Sequence, residues 1–412
     1  MARTLDVFLL AHKVGQFMDN GRLSFTYDAG YLKSAGARPL SLALPLAETT
    51  YEHNVCHAVF GGMLPEGDVR SILAKALGVS ERNDFSLLAE IGGECAGAVS
   101  LWRVDGPGPI AGTAKRLALS PAKLENLVKQ LPTRPLLVGE GIRLSLAGAQ
   151  SKLALVLEGG KFHLPGQSEP STHILKIAPA GFEGILENEL FCLRLANAIG
   201  LPAATTTLDR AGDVRYLCVE RFDRLRLDGK IERLHQEDFC QALGVAPEAK
   251  YQNEGGPSIA AGVQLLREHS TRPAADVNAF LNLVYFNYLI GNADAHSKNF
   301  SLLLGGAGPV LAPAYDLICT AAYPGLSHKM AMKIGSEYDP DRVTTRHWEA
   351  LAQQCDLKAA FVLDGLRDLA SRISSVVPAL ADELAASTGA PKVIGTILNI
   401  IANRSGKAEA GC

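Results

Sequence analysis

The spacing of apolar residues changes period partway along this chain, and that change limits the folds open to it. Up to about Gln236 the apolar runs are short and bounded by Gly or Pro. Examples are Leu5–Leu10, Arg22–Tyr27 beyond the turn-like Asp19-Asn-Gly21, Gly97–Trp102, Leu153–Leu157, Phe162–Leu164, His173–Ile177 and Leu217–Phe222. Runs of this length are strands. Helical spacing interrupts them at Val69–Leu77, at Asp84–Ile91, and at Leu124–Leu131 behind a capping Ser120. A further helix runs from about Glu187 to Ile199, where Gly200 and Pro202 end it. From Gln236 onward the pattern is mostly helical, apart from hairpin-like Phe300–Leu304 and Val310–Leu311 around Gly305-Gly306. A strand-rich half followed by a helix-rich half predicts an α+β protein.

The longest apolar stretch, Phe280–Ile290, is broken by Asn282 and Asn287 and is too short to span a membrane, so it reads as a buried helix. Across 412 residues, 47% are hydrophobic and 20% charged, the balance of a soluble globular protein with room for two or three domains. A formal net charge of −3 argues against a broad surface that grips nucleic acid by itself. The eight cysteines contain no Cys-x-x-Cys pair, which disfavours a disulfide framework or zinc site and fits the reducing cytoplasm. Near the start, Asp6 stands where a signal peptide needs an apolar core. The best linker is Asp105-Gly-Pro-Gly-Pro109. These cues divide the chain into a β-rich segment 1–108, a helical connector 109–138, a second strand-rich segment 139–237, a helical segment 238–404 and a frayed tail 405–412.

Chemistry concentrates in Gly291-Asn-Ala-Asp294-Ala-His296-Ser-Lys298-Asn299-Phe300, followed by Ala314-Tyr315-Asp316. Asp-x-x-x-x-Asn and then a second Asp is the acidic skeleton of a phosphoryl-transfer site. One carboxylate takes the proton of an attacking hydroxyl, while an amide and another carboxylate hold magnesium against nucleotide phosphates. Each residue also has a plain alternative, since Asp294 and Asp316 could cap helices. Their shared spacing favours Asp294 as base and Asn299 with Asp316 as metal ligands. A zinc or iron site on Asp294 and His296 lacks a second histidine at ligand spacing.

Such a centre requires further parts upstream. Lys176 lies inside the apolar strand His173–Ile177, where it either snorkels outward or points at phosphate oxygens. The helix after it offers Glu189, ahead of Glu187, as its partner. Ser145-Leu-Ala-Gly148-Ala-Gln150-Ser-Lys152 is small enough for close approach of backbone amides to phosphate, though one glycine makes neither a Walker loop nor Gly-x-Gly-x-x-Gly. Val219-Glu220-Arg-Phe222-Asp-Arg224 ends a strand where kinases present backbone groups to adenine, or else forms a solvated charge network.

Taken together, these motifs resemble the HipA family of bacterial serine/threonine kinases, the toxins of type II toxin–antitoxin pairs. The resemblance covers most of the chain. It includes Val14-Gly15, Pro39–Pro45, Gly62-Met-Leu-Pro65, Leu88–Gly92 with Gly97-Ala-Val, Ser145–Lys152, Val219–Arg224 and Gln236–Gln241. It continues through Lys250-Tyr251 with Gly255-Gly-Pro257, Gly291–Phe300 and Pro313–Asp316. It implies a bilobal protein-kinase-like fold with a β-rich N-terminal subdomain and a helical C-terminal lobe. It also implies ATP and Mg2+ as cofactors, with Asp294 as base, Asn299 and Asp316 on magnesium, and Lys176 on ATP. By the same resemblance Ala147, Gly148, Ala149, Gln150, Ser151 and Lys152 form the phosphate loop. Glu220 and Phe222 meet adenine through the backbone, and His296, Lys298 and Tyr315 line the nucleotide site. Ser145 matches an autophosphorylation site that silences the kinase.

The partners implied are a HipB-like helix-turn-helix antitoxin, operator DNA mainly through that antitoxin, and a protein substrate such as an aminoacyl-tRNA synthetase; no membrane is implied. The competing expectation is a catalytically silent, ATP-binding co-repressor acting with the antitoxin.

Overall fold

The structure is a computed structural model that describes residues 3–410, apart from 105, 107, 110–115, 136–144, 149, 167–168 and 389–391. Part of the Asp105–Pro109 linker, the boundary at 138/139 and Ala149 therefore lie outside the described residues. The chain divides into two compact units. One comprises Met1–Pro179, Asp209–Glu248 and Leu303–Gly305, and the other Ala180–Leu208, Ala249–Leu302 and Gly306–Cys412.

In the first unit, alternating residues build β1 (Arg3–Leu9), β2 (His12–Asp19), β3 (Leu23–Tyr27), β4 (Thr50–Tyr51) and β5 (Val99–Arg103), ordered β4-β3-β2-β1-β5. Asp19 fixes the turn into β3 by accepting the Gly21 N–H at 2.9 Å. Strand β2 is not among the runs read from sequence, because Lys13, Gly15 and Gln16 blunt its alternation. Its Phe17 nevertheless stacks on Phe60 at 4.2 Å, and Phe25 meets the edge of Tyr27 at 4.8 Å. Helices Gly67–Leu77 and Asp84–Ile91 add Leu73, Leu87 and Leu88 to that core.

A second sheet carries β6 (Leu117–Ala118), β7 (Lys152–Glu158), β8 (Lys161–Leu164), β9 (His173–Ile177), β10 (Thr206–Ala211) and β11 (Val214–Glu220), ordered β10-β11-β9-β7-β8-β6. Helix Pro121–Gln130 starts where Ser120 Oγ accepts the Lys123 N–H at 3.3 Å. Its Leu124, Leu127 and Val128 pack with Leu153, Leu155, Leu175 and Ile177. Ala154 and Ile174 belong to the opposite face and join the first core. The antiparallel register sets Lys152 opposite Lys176. By the two-residue period both lysines share the Ala154–Ile174 face.

The stretch 235–248 is sewn to the N-terminal subdomain. His235 bonds to the Leu40 carbonyl at 2.8 Å, the Leu42 N–H donates to Glu237 at 2.9 Å, and Gln241 donates to the Val59 carbonyl at 2.8 Å. His57 bridges Asp84 at 2.5 Å and Glu248 at 2.9 Å. Hydrogen bonds that it donates to those two carboxylates push its imidazole up to about 10.

The second unit is mainly helical. The expected buried helix is Pro273–Ile290, with Phe280, Phe286 and Leu289 fully enclosed. Helices Ile259–His269, Thr345–Gln354, Ala359–Thr388 and Lys392–Glu409 complete it. Residues 405–409 do not fray as expected. Ile394, Ile397, Ile401, Ser405 and Ala408 keep helical spacing and are buried, the last two serving as small packing residues. Among the described residues no helix is long and apolar enough to cross a membrane.

Four buried charges brace the first unit. Arg221 reaches Glu94 at 3.2 Å and Asp223 at 2.7 Å, while Arg224 reaches both carboxylates at 2.9 Å. Burial works against ionisation of Glu94, but Arg233, Arg221 and Arg224 outweigh it and hold the carboxyl below the ordinary range. Asp223 is depressed in the same way by Arg221 and Arg224. A depressed carboxyl contributes stability above its unfolded pKa, near 4, and loses it as pH falls through the folded value. Glu94→Ala leaves buried guanidinium charge under-compensated and is expected to cost about 3 kcal/mol. Urea unfolding at pH 7 checks the loss, and a shallower decline in stability below pH 4 checks its electrostatic origin.

Candidate active site

The helix Pro273–Ile290 ends at Gly291, whose φ of +79° is left-handed. A β-carbon there would stand 3.0 Å from Ile400, 3.1 Å from Ala321 and 3.2 Å from Cys319, so the left-handed backbone favours glycine and the tight surroundings add to the preference. Side-chain amides then guide the chain. Asn287 donates to the Leu283 carbonyl at 2.9 Å, and Asn292 Nδ2 donates to Asn287 Oδ1 at 2.8 Å. Asn292 Oδ1 in turn accepts the Asp294 N–H at 3.1 Å. Past Asp294, Asn299 Nδ2 donates to the Asp294 carbonyl at 3.0 Å, and the His296 N–H does so at 2.8 Å. The backbone of the loop is thereby fixed while the Asp294 side chain stays exposed.

Asp316 is placed from other directions. Ala314 is clamped by Pro202–Ala204 through bonds of 2.8 and 2.9 Å. Asn188, on the helix Ile185–Ala198, brackets Cys319 with bonds of 3.0 and 2.8 Å. The Tyr315 hydroxyl donates to the Lys298 carbonyl at 2.7 Å and lies 2.6 Å from Ser301 Oγ. Asp316 itself has φ +51°, a left-handed backbone that costs a non-glycine residue about 1–2 kcal/mol. Strain of that kind persists where surrounding contacts over-determine it.

Asn287, Asn292, Asn299, Tyr315 and Asp316 line one cleft. With Nδ2 of Asn299 committed to the backbone, its amide oxygen is the atom left for a ligand. A carboxylate and an amide oxygen on one cleft suit a hard cation that keeps water and phosphate as its other ligands, so these residues fit magnesium. His296 and Lys298 are buried in the same loop.

The other expected site residues lie in the first unit. Gly148 has φ +105°, and its carbonyl accepts the Glu66 N–H at 3.2 Å. Lys152 Nζ donates to the Ala147 carbonyl at 2.5 Å, folding its ammonium under the loop. A β-carbon on Gly148 would come within 2.8 Å of that ammonium. Gln150 Nε2 donates to the Ile177 carbonyl at 2.8 Å, beside buried Lys176. Lys152 and Lys176 are paired across β7 and β9 in the register.

Ser145 is fully buried, its Oγ donating to the Met63 carbonyl at 2.7 Å. Glu220 is exposed and Phe222 half-buried, while Arg221 between them turns inward. Arg221, Asp223 and Arg224 thus form the buried cluster with Glu94, while Glu220 alone of the segment's charges faces solvent. Glu187 and Glu189 are both buried on Ile185–Ala198.

Sequence reasoning did not assign roles to Asn287, Asn292 or Tyr251. The signal available for the first was an amide inside an otherwise apolar helix.

Residues 5–102 match the HipA N-terminal domain and residues 144–377 the HipA-like C-terminal domain. "Putative kinase Y4mE" of Sinorhizobium fredii is 46% identical over 393 residues, covering 93% of this chain and 91% of that protein. The "Serine/threonine-protein kinase toxin HipA" of Shewanella oneidensis is 32% identical over 380 residues, 87% of this chain and 86% of that one. A solved structure of HipA with HipB and its operator DNA, also from Shewanella oneidensis, superposes with a TM-score of 0.82. Identity there is 28%, covering 99% of this chain and 96% of that one. These matches show a serine/threonine kinase of α+β architecture with a helical C-terminal region, and the chain belongs to the HipA family.

The amide ladder makes a direct prediction. Asn292→Ala strips the Asp294 N–H and Asn287 of a buried partner, at an expected cost of about 1–3 kcal/mol. Chemical denaturation reads that loss, and faster hydrogen exchange at the Asp294 amide localises it.

Proposed function

We propose that this chain transfers the γ-phosphoryl group of ATP, in the presence of Mg2+, to a serine or threonine hydroxyl of a protein. The observation that carries the reading is the convergence of Asn299 and Asp316 on one cleft, with Asp294 on the same loop as Asn299. Asp294 orients the attacking hydroxyl and accepts its proton. Magnesium, when bound through Asn299 and Asp316, supplies offset of phosphate charge. Lys176 meets phosphate oxygens, with Glu189 as its proposed partner. The backbone of Ala147–Lys152, with Ala149 included, covers the phosphates, and Glu220 with Phe222 presents backbone groups to adenine. His296, Lys298 and Tyr315 complete the nucleotide site.

The same reading makes the chain a toxin neutralised by a HipB-like helix-turn-helix antitoxin in the cytoplasm, and brought to DNA mainly through it. Two features support it: the likeness to the HipA–HipB–operator complex, and a net charge of −3, which gives the chain no broad electrostatic hold on DNA of its own. An aminoacyl-tRNA synthetase is the acceptor that the family resemblance suggests. Autophosphorylation at Ser145 requires the segment to leave its packed position first, since its hydroxyl is enclosed and already donating.

Incubation with labelled ATP and Mg2+ tests the reading. Asp294→Ala is expected to lower label transfer by at least 100-fold while the protein stays folded and still binds ATP. Undiminished transfer in that variant would overturn Asp294 as the base, whereas binding without transfer in the wild type would indicate the silent co-repressor.

A further inference from the structure

The carboxylate of Asp294 is exposed, and an exposed aspartate ordinarily samples several rotamers. Here one of its oxygens is already taken. The Tyr251 hydroxyl donates to Asp294 Oδ1 at 2.7 Å. The phenol is itself held. Its ring meets His296 edge-on at 5.3 Å between centroids, and the Lys250 ammonium sits 5.4 Å from the ring centre. The backbone beneath it is equally fixed. The Tyr251 carbonyl accepts the Glu254 and Gly256 N–H groups, both at 2.9 Å. The next residue joins a relay to the loop: the Gln252 N–H donates to the Ala331 carbonyl at 2.9 Å, and the Ala331 N–H donates to the Ala293 carbonyl at 2.8 Å. Ser297 Oγ closes the circuit on the Pro257 carbonyl at 3.2 Å. Tyr251 and Asp294 are thus braced against each other from both sides.

We propose that Tyr251 is a positioning residue for phosphoryl transfer: by occupying Oδ1 of Asp294 it locks the carboxylate rotamer and leaves Oδ2 as the oxygen that receives the substrate hydroxyl. The inference rests on the kinase reading of Asp294 and adds the group that orients it. Holding a base in one geometry raises the fraction of bound complexes ready to react without strengthening nucleotide binding. Loss of the phenolic hydroxyl therefore lowers the rate of transfer and leaves ATP affinity alone. Tyr251→Phe is the suitable variant because it keeps the ring against His296 and Lys250 and deletes only the donor.

The test uses the full chain with labelled ATP and Mg2+, the chain serving as its own acceptor. Tyr251→Phe is expected to reduce the rate at saturating ATP by about tenfold or more, with the half-saturating ATP concentration within about twofold and an unchanged melting temperature. A wild-type rate in Tyr251→Phe, or a loss confined to ATP affinity, overturns the proposal. Equal labelling of wild type and Asp294→Ala overturns the kinase reading and this inference with it. A second measurement needs no activity. In a chain labelled with 3-fluorotyrosine, the Tyr251 resonance, assigned by its absence in Tyr251→Phe, is expected to shift in Asp294→Asn. No shift means that the two groups do not meet in solution, and the proposal falls even where the kinase reading stands.

Discussion

The left-handed stop at Gly291 is the constraint on which the candidate catalytic loop depends. A buried helix arrives there, and a β-carbon would press on Ile400, Ala321 and Cys319 at 3.0–3.2 Å while holding a left-handed backbone that favours glycine. Forced to turn at that point, the chain has polar backbone inside an apolar unit, and each such group needs a partner. Asn287 and Asn292 supply them, which is why two amides stand where core residues would otherwise be. The exposed Asp294 thus stands at the end of a hydrogen-bonded ladder that begins inside the helix at the Leu283 carbonyl, four residues before Asn287. Precision at an exposed group comes here from satisfaction of buried ones.

The first unit answers a similar demand with charge. Gly97, Ser171 and the strand end at Arg221–Arg224 meet where little apolar surface is available, and Glu94 receives the Ser171 N–H and hydroxyl as well as two guanidinium groups. Burying four charges is costly, and an apolar replacement of the same shape could match it in stability. What the cluster adds is directionality. Bidentate pairing of Arg221 with Asp223 fixes which way successive residues face, so Glu220 and Phe222 are held away from the interior while Arg221 points into it. The ends of the strand that bears these candidate adenine contacts are set by electrostatics rather than by packing.

Much of this was legible in sequence because it is local. The Asp294-to-Asn299 interval, the cap at Ser120, the turn at Asn20-Gly21 and the helix over Phe280–Ile290 each depend on residues within one or two turns of chain. What escaped notice depends on register or distant pairing. Nothing near Glu94 announces that its partners lie more than a hundred residues away. Strand β2 hides because polar residues interrupt its alternation, and the last helical turn hides because Ser405 and Ala408 have a tail's composition and a core's burial. Lys152 and Lys176 were each suspected singly. That they oppose one another across two strands is a fact of register that neither motif shows by itself.

Register and burial also bear on the proposed control of the enzyme. The segment from Ser145 to Lys152 is pinned at both ends: a hydroxyl donates into the N-terminal core at one, and an ammonium folds back onto Ala147 at the other. A phosphate on Ser145 would bring nearly two negative charges to a site of zero exposure, where the hydroxyl now donates to the Met63 carbonyl and the N–H to the Glu94 carbonyl. Acceptors cannot satisfy an acceptor. The modified residue therefore loses the hydroxyl donor that ties this end of the loop to Met63, and burial of its charge opposes the packed position. On this reasoning inhibition needs no separate regulatory surface. The burial that gives the loop its shape in the unmodified chain is the same property that makes that shape incompatible with phosphate.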